Sequence, residues 1–204
     1  MFFSFEGIDG SGKSTQARLL ADTLRNAGHE IVEVREPGGT RLGERVRSLL
    51  LDPDSEIADR AELLLFSAAR AQLVADVIRP ALSKGAHIIA DRFFDSSTAY
   101  QGAGRALSDL EWMESLHHFA TNGMNPDRTY FIDTPLDIAA SRRDGRDADR
   151  MERANHVFYE RVRDGYRSVA SSSPGRVLTL DGTQPVDRLK ALIEDDARSL
   201  LAAM

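Results

Sequence analysis

Near its amino terminus the chain reads Gly7-Ile8-Asp9-Gly10-Ser11-Gly12-Lys13-Ser14, a match to G-x-x-x-x-G-K-[ST]. No other stretch restricts the fold as much, because the pattern has meaning only between a strand and a helix. Both neighbours are present. Phe2–Glu6 is a short, aromatic-rich run that stops at glycine, as a buried strand does. From Lys13 to Ala27 the apolar residues Ala17, Leu19, Leu20, Ala21 and Leu24 recur at helical spacing, and Gly28 closes the run. Glycines let such a loop enter backbone conformations closed to residues with a Cβ, so that N–H groups converge on phosphate oxygens. The helix that follows adds its positive end. Gly7–Thr15 therefore reads as a loop for the phosphates of a nucleoside triphosphate, with Lys13 on the outer phosphates and the Ser14 hydroxyl on Mg²⁺. Asp9 inside the loop repels such a ligand unless a cation intervenes. It can hold Mg²⁺ through water, act on an acceptor phosphate, or stand solvated.

The rest of the chain alternates in the same way. Strands are expected at Glu30–Val34, Ala86–Ala90, Arg128–Asp133 and Arg176–Leu180. Helices are expected at Arg41–Leu51, Asp59–Leu82, Phe94–Gln101 (stopped by Gly102-Ala103-Gly104), Leu136–Arg143, Glu152–Ala170 and Val186–Ala202. One more opens at Ser108, with Glu111 at capping-box spacing, and runs through Ala120. Alternation of this kind implies a parallel sheet covered by helices on both faces. Residues 142–153 crowd acidic and basic side chains with few apolar ones, which predicts a mobile surface segment.

Composition narrows the function. A chain of 204 residues with 42% hydrophobic and 28% charged positions suits one packed domain. A net charge of −6 disfavours nucleic acid and anionic membrane surfaces as partners, so any bound anion must be held by local basic groups. With no cysteine, disulfides and thiolate metal sites are excluded, and a reducing compartment fits. No apolar run approaches the roughly 20 residues of a membrane span, and Met1–Glu6 lacks the basic start of a signal peptide. A cytoplasmic location is the expectation.

Ligands of open α/β sheets sit beyond the carboxyl ends of the strands. Two further polar clusters fall there: Arg35-Glu36-Pro37-Gly38-Gly39-Thr40, and Asp91-Arg92-Phe93. Asp91 at a strand tip suits a carboxylate that holds Mg²⁺ directly or through water. Arg92 offers a planar fork for two phosphate oxygens. Phe66 and Arg70 lie four apart on the long helix and so share a face. Spacing alone leaves them open, as a core aromatic and a solvated charge or as ligand contacts.

Three segments, Phe5-Glu6-Gly7-Ile8-Asp9-Gly10-Ser11-Gly12-Lys13-Ser14-Thr15-Gln16, Arg35–Thr40 and Asp91–Gly102, occur in this order. Together they resemble the bacterial thymidylate kinases, a family of P-loop nucleoside monophosphate kinases. The resemblance continues through Asp149-Arg150-Met151-Glu152, Phe158–Tyr166 and Asp181-Gly182-Thr183-Gln184-Pro185. It implies a three-layer P-loop NTPase fold on a five-stranded parallel sheet, with a short lid. It also implies phosphorylation of dTMP to dTDP with ATP and Mg²⁺, toward dTTP, and a homodimer packed through helices. On this resemblance Phe66 stacks on thymine, and Arg70 hydrogen-bonds the base edge with Ser97 and Gln101 nearby. Tyr100 packs near the deoxyribose and disfavours a 2′-hydroxyl. Arg92, with Arg35 and Arg47, takes the monophosphate. Glu36 lies between acceptor and metal, and Asp181–Pro185 near the adenine. Two positions depart from the family. Gly10 stands where some members carry an arginine, so the missing charge is expected from Arg142, Arg143, Arg146 or Arg150, with Arg150 the best match and Arg146 next. Phe93 stands where tyrosine is usual.

The expected chemistry is in-line transfer to an acceptor oxygen that is already anionic, with Lys13, Asp9, Arg92 and a lid arginine as catalytic residues. Two rival classes remain at this level. Another nucleoside monophosphate kinase would differ in base preference, and an ATPase switch acting on a protein would need no small-molecule acceptor site.

Overall fold

The computed structural model describes residues 1–107, 110–143 and 155–203. Its elements in chain order are β1 (Phe2–Glu6), α1 (Lys13–Asn26), β2 (Ile31–Arg35), α2 (Arg41–Leu51), α3 (Asp59–Leu73), α4 (Arg79–Ser83), β3 (His87–Asp91), α5 (Phe94–Ser97), α6 (Leu110–Thr121), β4 (Arg128–Asp133), α7 (Leu136–Ser141), α8 (His156–Ser172), β5 (Val177–Asp181) and α9 (Val186–Ala202). The five strands form one parallel sheet in the order β2-β3-β1-β4-β5. β1 is therefore central, and the loop after it opens where the direction of winding reverses.

Strand alternation divides the apolar residues between two layers. Phe3, Phe5, Tyr130 and Ile132 face α1 and α9, where Leu20, Leu24, Leu189 and Ile193 meet them. Phe131 and Val177 face Phe158, Val162 and Tyr166 of α8. Phe2, Ile88 and Ala90 face Leu73 and Ile78. Burying both faces explains why the strands read as nearly continuous apolar runs.

Three strands end one residue later than their apolar runs suggest. Arg35 pairs with Asp91, and Asp133 with Asp181, as the last rungs of the sheet. The backbone ladder is indifferent to side-chain polarity, so these charged residues are the rim of the sheet and not the start of loops. Two expected helices also change character. The stretch 59–82 is α3, then a π-helical turn Val74–Ile78, then α4. Pro80 has no N–H and its ring crowds the carbonyl four residues back; the widened turn relieves that conflict. The glycines expected to stop the helix at Phe94–Gln101 instead lie within a π-helical continuation, Thr98–Gly104. There Gly104 packs so closely on Phe158 and Val162 that a Cβ would collide with both.

α7 ends at Ser141, short of the expected Arg143. The expected helix start at Ser108, residues 152–154, and Arg146 and Arg150 lie outside the described residues. Among the described residues no helix is long and apolar enough to cross a membrane.

Candidate active site

The loop after β1 holds the conformations its glycines allow. Gly12 caps α1 at φ 97° and Gly10 sits at φ 85°. Lys13, Ser14 and Thr15 form the first turn of α1, so their N–H groups have no acceptor within the helix. Ile8 contributes backbone only, because its side chain is buried in the layer beneath α8. At Gly10 a Cβ would collide with the carbonyl oxygen of Ala139 in α7. Position 10 therefore has no room for an arginine, and the departure from some family members is built into the packing.

Beyond the loop, Arg92 is the hub. It directly follows β3 and takes φ 74°, a conformation that costs a residue with a side chain on the order of 1–3 kcal/mol. Its contacts hold it there. The backbone N–H donates to Phe5 O at 3.0 Å, Nη2 to Asp9 Oδ1 at 2.6 Å and to Tyr100 OH at 3.2 Å, and Nη1 to Ser96 Oγ and Tyr166 OH at 3.0 Å each. Asp9 also receives Lys13 Nζ at 3.3 Å and Tyr100 OH at 3.0 Å. Burial pushes the Asp9 carboxyl up, but Arg92 and Lys13 outweigh it and hold it well below the usual range. Asp9 is thus an ionised clamp between two cations and not a solvated loop residue. Behind Arg92 the buried Glu6 accepts Phe93 N–H at 2.6 Å, Ser96 OH at 2.6 Å and Tyr166 OH at 3.1 Å. Burial, and then the neighbouring Asp95 charge, push Glu6 up to about 7.

An open cavity of about 320 Å³ joins the two regions. Asp9, Lys13, Ser14 and Asp91 line it beside the phosphate loop; Arg35, Glu36, Arg47, Phe66, Arg92, Ser97, Tyr100 and Gln101 line the rest. Phe66 does two things at once: it packs against the apolar cluster between α2 and α3 and lines the cavity. Arg47 is anchored by donating to Pro37 O at 2.9 Å. Arg70 differs from the expectation of an open contact, being only 1% exposed. It donates from Nε to Glu36 at 2.8 Å and from Nη2 to Ser97 Oγ at 3.0 Å, while the buried Nη1 has no partner. Leaving a guanidinium N–H unpaired is costly, and its cavity-lining neighbours Glu36 and Ser97 put it within one layer of the opening.

A hard divalent cation fits the donor set. Ser14 and Asp91 line the same cavity, and the buried Asp91 Oδ1 has no hydrogen-bond partner. Among the described residues no group of three or more His, Cys, Asp or Glu could hold a metal alone. One carboxylate and one hydroxyl suit Mg²⁺, which completes its shell with water and phosphate oxygens.

The arginine-rich segment is partly accounted for. Arg142 donates to Ser11 O at 3.3 Å and to Gly182 O at 3.0 Å, bracing the phosphate loop against the turn after β5. Arg143 lies over the Tyr159 ring, 5.1 Å from its centroid. Both thus have protein partners, while Arg146 and Arg150 lie outside the described residues.

Sequence reasoning missed Glu6, Ser96 and Tyr166 behind Arg92, and Glu62 beside Gln101. Glu6 carried a signal, being a charged residue at the end of a strand buried on both faces. Glu62 lies four residues before Phe66 and so belongs to the same helical stripe as Phe66 and Arg70. Ser96 and Tyr166 had no signal of their own, since only the fold brings α8 to α5. Phe93 is fully buried, 4.9 Å from the Phe2 ring; a hydroxyl there would enter the core.

A family model described as thymidylate kinase matches residues 5–193. A thymidylate kinase of Kosmotoga olearia is 48% identical over 190 residues, covering 93% of this chain and 91% of that protein. One of Thermosipho melanesiensis is 50% identical, with 92% of each chain covered. A crystal structure of thymidylate kinase from Ehrlichia chaffeensis superposes with a TM-score of 0.75 at 36% identity, covering 91% of this chain and 89% of that one.

Proposed function

The chain belongs to the thymidylate kinase family and phosphorylates dTMP to dTDP with ATP as donor, and from that premise we infer that donor and acceptor are held by two differently built walls of one cavity. The observation that carries this reading is the line of ion pairs Lys13–Asp9–Arg92, at 3.3 and 2.6 Å, which links the phosphate loop to the acceptor wall. One carboxylate steadies both cations. Lys13 faces the outer phosphates of ATP, and Arg92 faces the phosphate of dTMP.

In the reaction an oxygen of the dTMP phosphate bonds to the γ-phosphorus while the bond from that phosphorus to the bridging oxygen breaks, and ADP leaves. The nucleophile is already anionic, so positioning and charge carry the catalysis. Backbone N–H groups of Gly7–Thr15 orient the donor. Ser14 and Asp91 would hold Mg²⁺, which would supply positive charge to neutralise the phosphates of the donor. Arg146 or Arg150 supplies the transition-state charge for which position 10 has no room. On the acceptor wall Phe66 stacks on the thymine, the spare Nη1 of Arg70 donates to its O4, and Gln101 accepts from its N3–H. Tyr100 lies where a 2′-hydroxyl would be, Arg35 and Arg47 add to the monophosphate field, and Glu36 fixes Arg70. The exposed Leu64, Trp112 and Phe119 on α3 and α6 support a homodimer packed through these helices. A cytoplasmic site of action accords with a cysteine-free nucleotide kinase.

A coupled ADP-release assay with dTMP, dUMP, UMP, CMP and AMP tests the assignment. Turnover is expected to be greatest with dTMP. Preference for a purine would overturn the acceptor wall, and ATP hydrolysis indifferent to dTMP would favour a switch acting on a partner protein.

A further inference from the structure

We propose that Glu62 is a specificity-determining positioning residue: it fixes which end of the Gln101 amide meets the base, and so decides between a 4-oxo and a 4-amino pyrimidine. The proposal rests on Gln101 reading the base. Glu62 stands on α3 with its side chain fully buried. Its carboxylate accepts Gln101 Nε2 at 2.9 Å and Arg105 Nη2 at 3.3 Å and Nε at 3.4 Å. Arg105 is itself held by Asp59 at 3.5 Å and by the Phe158 ring, 4.9 Å from its centroid.

The two ends of a glutamine amide are nearly identical in shape, so shape alone does not choose between them. Chemistry does. A carboxylate beside a guanidinium offers acceptors only, so it can face only the NH₂ end. The carbonyl end is then left to the cavity that Gln101 lines, and no protein partner takes it among the described residues. An acceptor at this place requires a donor on the ring. The N3–H of thymine or uracil supplies one; the N3 lone pair of cytosine opposes it. Arg70 Nη1, buried and unpartnered behind the cavity lining, is a donor that favours the same choice, since a donor suits O4 and opposes an exocyclic amine. A flipped amide would present N–H to the ring and welcome cytosine at the first of these positions. Sites that hydrogen-bond a substrate group reject the wrong partner strongly, because the mismatch strands buried polar atoms.

Glu62→Gln keeps the shape and offers both a donor and an acceptor, which frees the amide to turn. Steady-state kinetics with dTMP and dCMP are expected to show KM for dTMP rising about tenfold, kcat within a few fold of the parent, and the dTMP-to-dCMP ratio of kcat/KM falling by about tenfold or more. KM for ATP is expected to stay unchanged. An unchanged ratio overturns the proposal, whether dTMP turnover is preserved or both nucleotides and ATP weaken together as a merely structural loss would have it. If Glu62→Gln yields no folded protein, Arg105→Met removes the counter-charge from a partly exposed position. The same fall in ratio is expected there, and a constant ratio overturns the proposal. Gln101→Leu separates the two layers of the argument. If it leaves KM for dTMP and the ratio unmoved, the base-reading role of Gln101 fails. If it moves them while Glu62→Gln does not, only the role of Glu62 fails.

Discussion

The two walls of the cavity are built on opposite plans. The donor wall is one stretch of consecutive residues, Gly7–Thr15, and works chiefly through backbone N–H groups at a helix start. The proposed acceptor wall is made of side chains drawn from distant places: Glu36 after β2, Phe66 on α3, Arg92 after β3, and Tyr100 and Gln101 on the π-helical stretch, with the buried Glu62 and Arg70 of α3 behind them. A backbone cradle suits a phosphate chain, which is the same in every nucleoside triphosphate. A base needs donors and acceptors at chosen points, and only side chains with second partners behind them supply those. Asp9 is where the two plans meet.

That contrast is sharpened first on the donor side, where the largest effect is expected. If Arg150 supplies the transition-state charge as proposed, Arg150→Ala should lower kcat on the order of 10³-fold or more with a modest change in KM. A loss below about tenfold would remove Arg150 and leave Arg146 to be tested in the same way. Lys13→Ala should cost about 10²–10³ in kcat and weaken ATP, yet leave dTMP binding near its parent value, since Arg92 still holds Asp9. A matching loss of dTMP affinity would mean the walls are not separate.

On the acceptor side Phe66→Ala should raise KM for dTMP by roughly 5–150-fold, the range of one base–aromatic stack of about 1–3 kcal/mol. KM for ATP should not follow. The smallest effect concerns Glu6, behind Arg92. Its folded-state value of about 7 lies above the ordinary 4.5, so the folded protein binds the extra proton between those values, and Glu6 removes stability as pH rises through that window. His117, pulled down to about 3 by burial and then by Arg70, works the other way, adding stability as pH rises from about 3 to 6.5. The two offset each other between 4.5 and 6.5, so the test is a difference. Thermal midpoints measured against pH for Glu6→Gln should lack the Glu6 decline, so the variant's midpoint minus the parent's should rise from pH 4.5 to 7. A constant gap would show that Glu6 does not titrate there.

The same contrast governs what could be read from the residues. The phosphate loop was legible because its function needs contiguous glycines flanked by a strand and a helix, and all of that is local. The order of strands and helices was legible for the same reason. Arg70 and Phe66 were not, because helical spacing cannot tell a core face from a ligand face; their resemblance to a family supplied the role, and the fold added that Arg70 is buried. Glu6, Ser96 and Tyr166 converge only when α8 packs beside α5 over β4 and β5, with Ser96 and Tyr166 70 residues apart in the chain. The ends of β2, β3 and β5 were misjudged by one residue, where Arg35, Asp91 and Asp181 complete the ladder, while β1 and β4 end at Glu6 and Asp133 as expected; hydrogen bonding, not polarity, decides where a strand stops.

The most direct test of separate walls is calorimetric titration of two variants, Lys13→Ala and Phe66→Ala, each with dTMP and with a non-hydrolysable ATP analogue. The account predicts a crossed result: Lys13→Ala loses affinity for the ATP analogue and keeps dTMP, while Phe66→Ala loses dTMP and keeps the analogue. If Phe66→Ala weakened the ATP analogue while dTMP bound as before, the assignment of donor and acceptor walls would be contradicted.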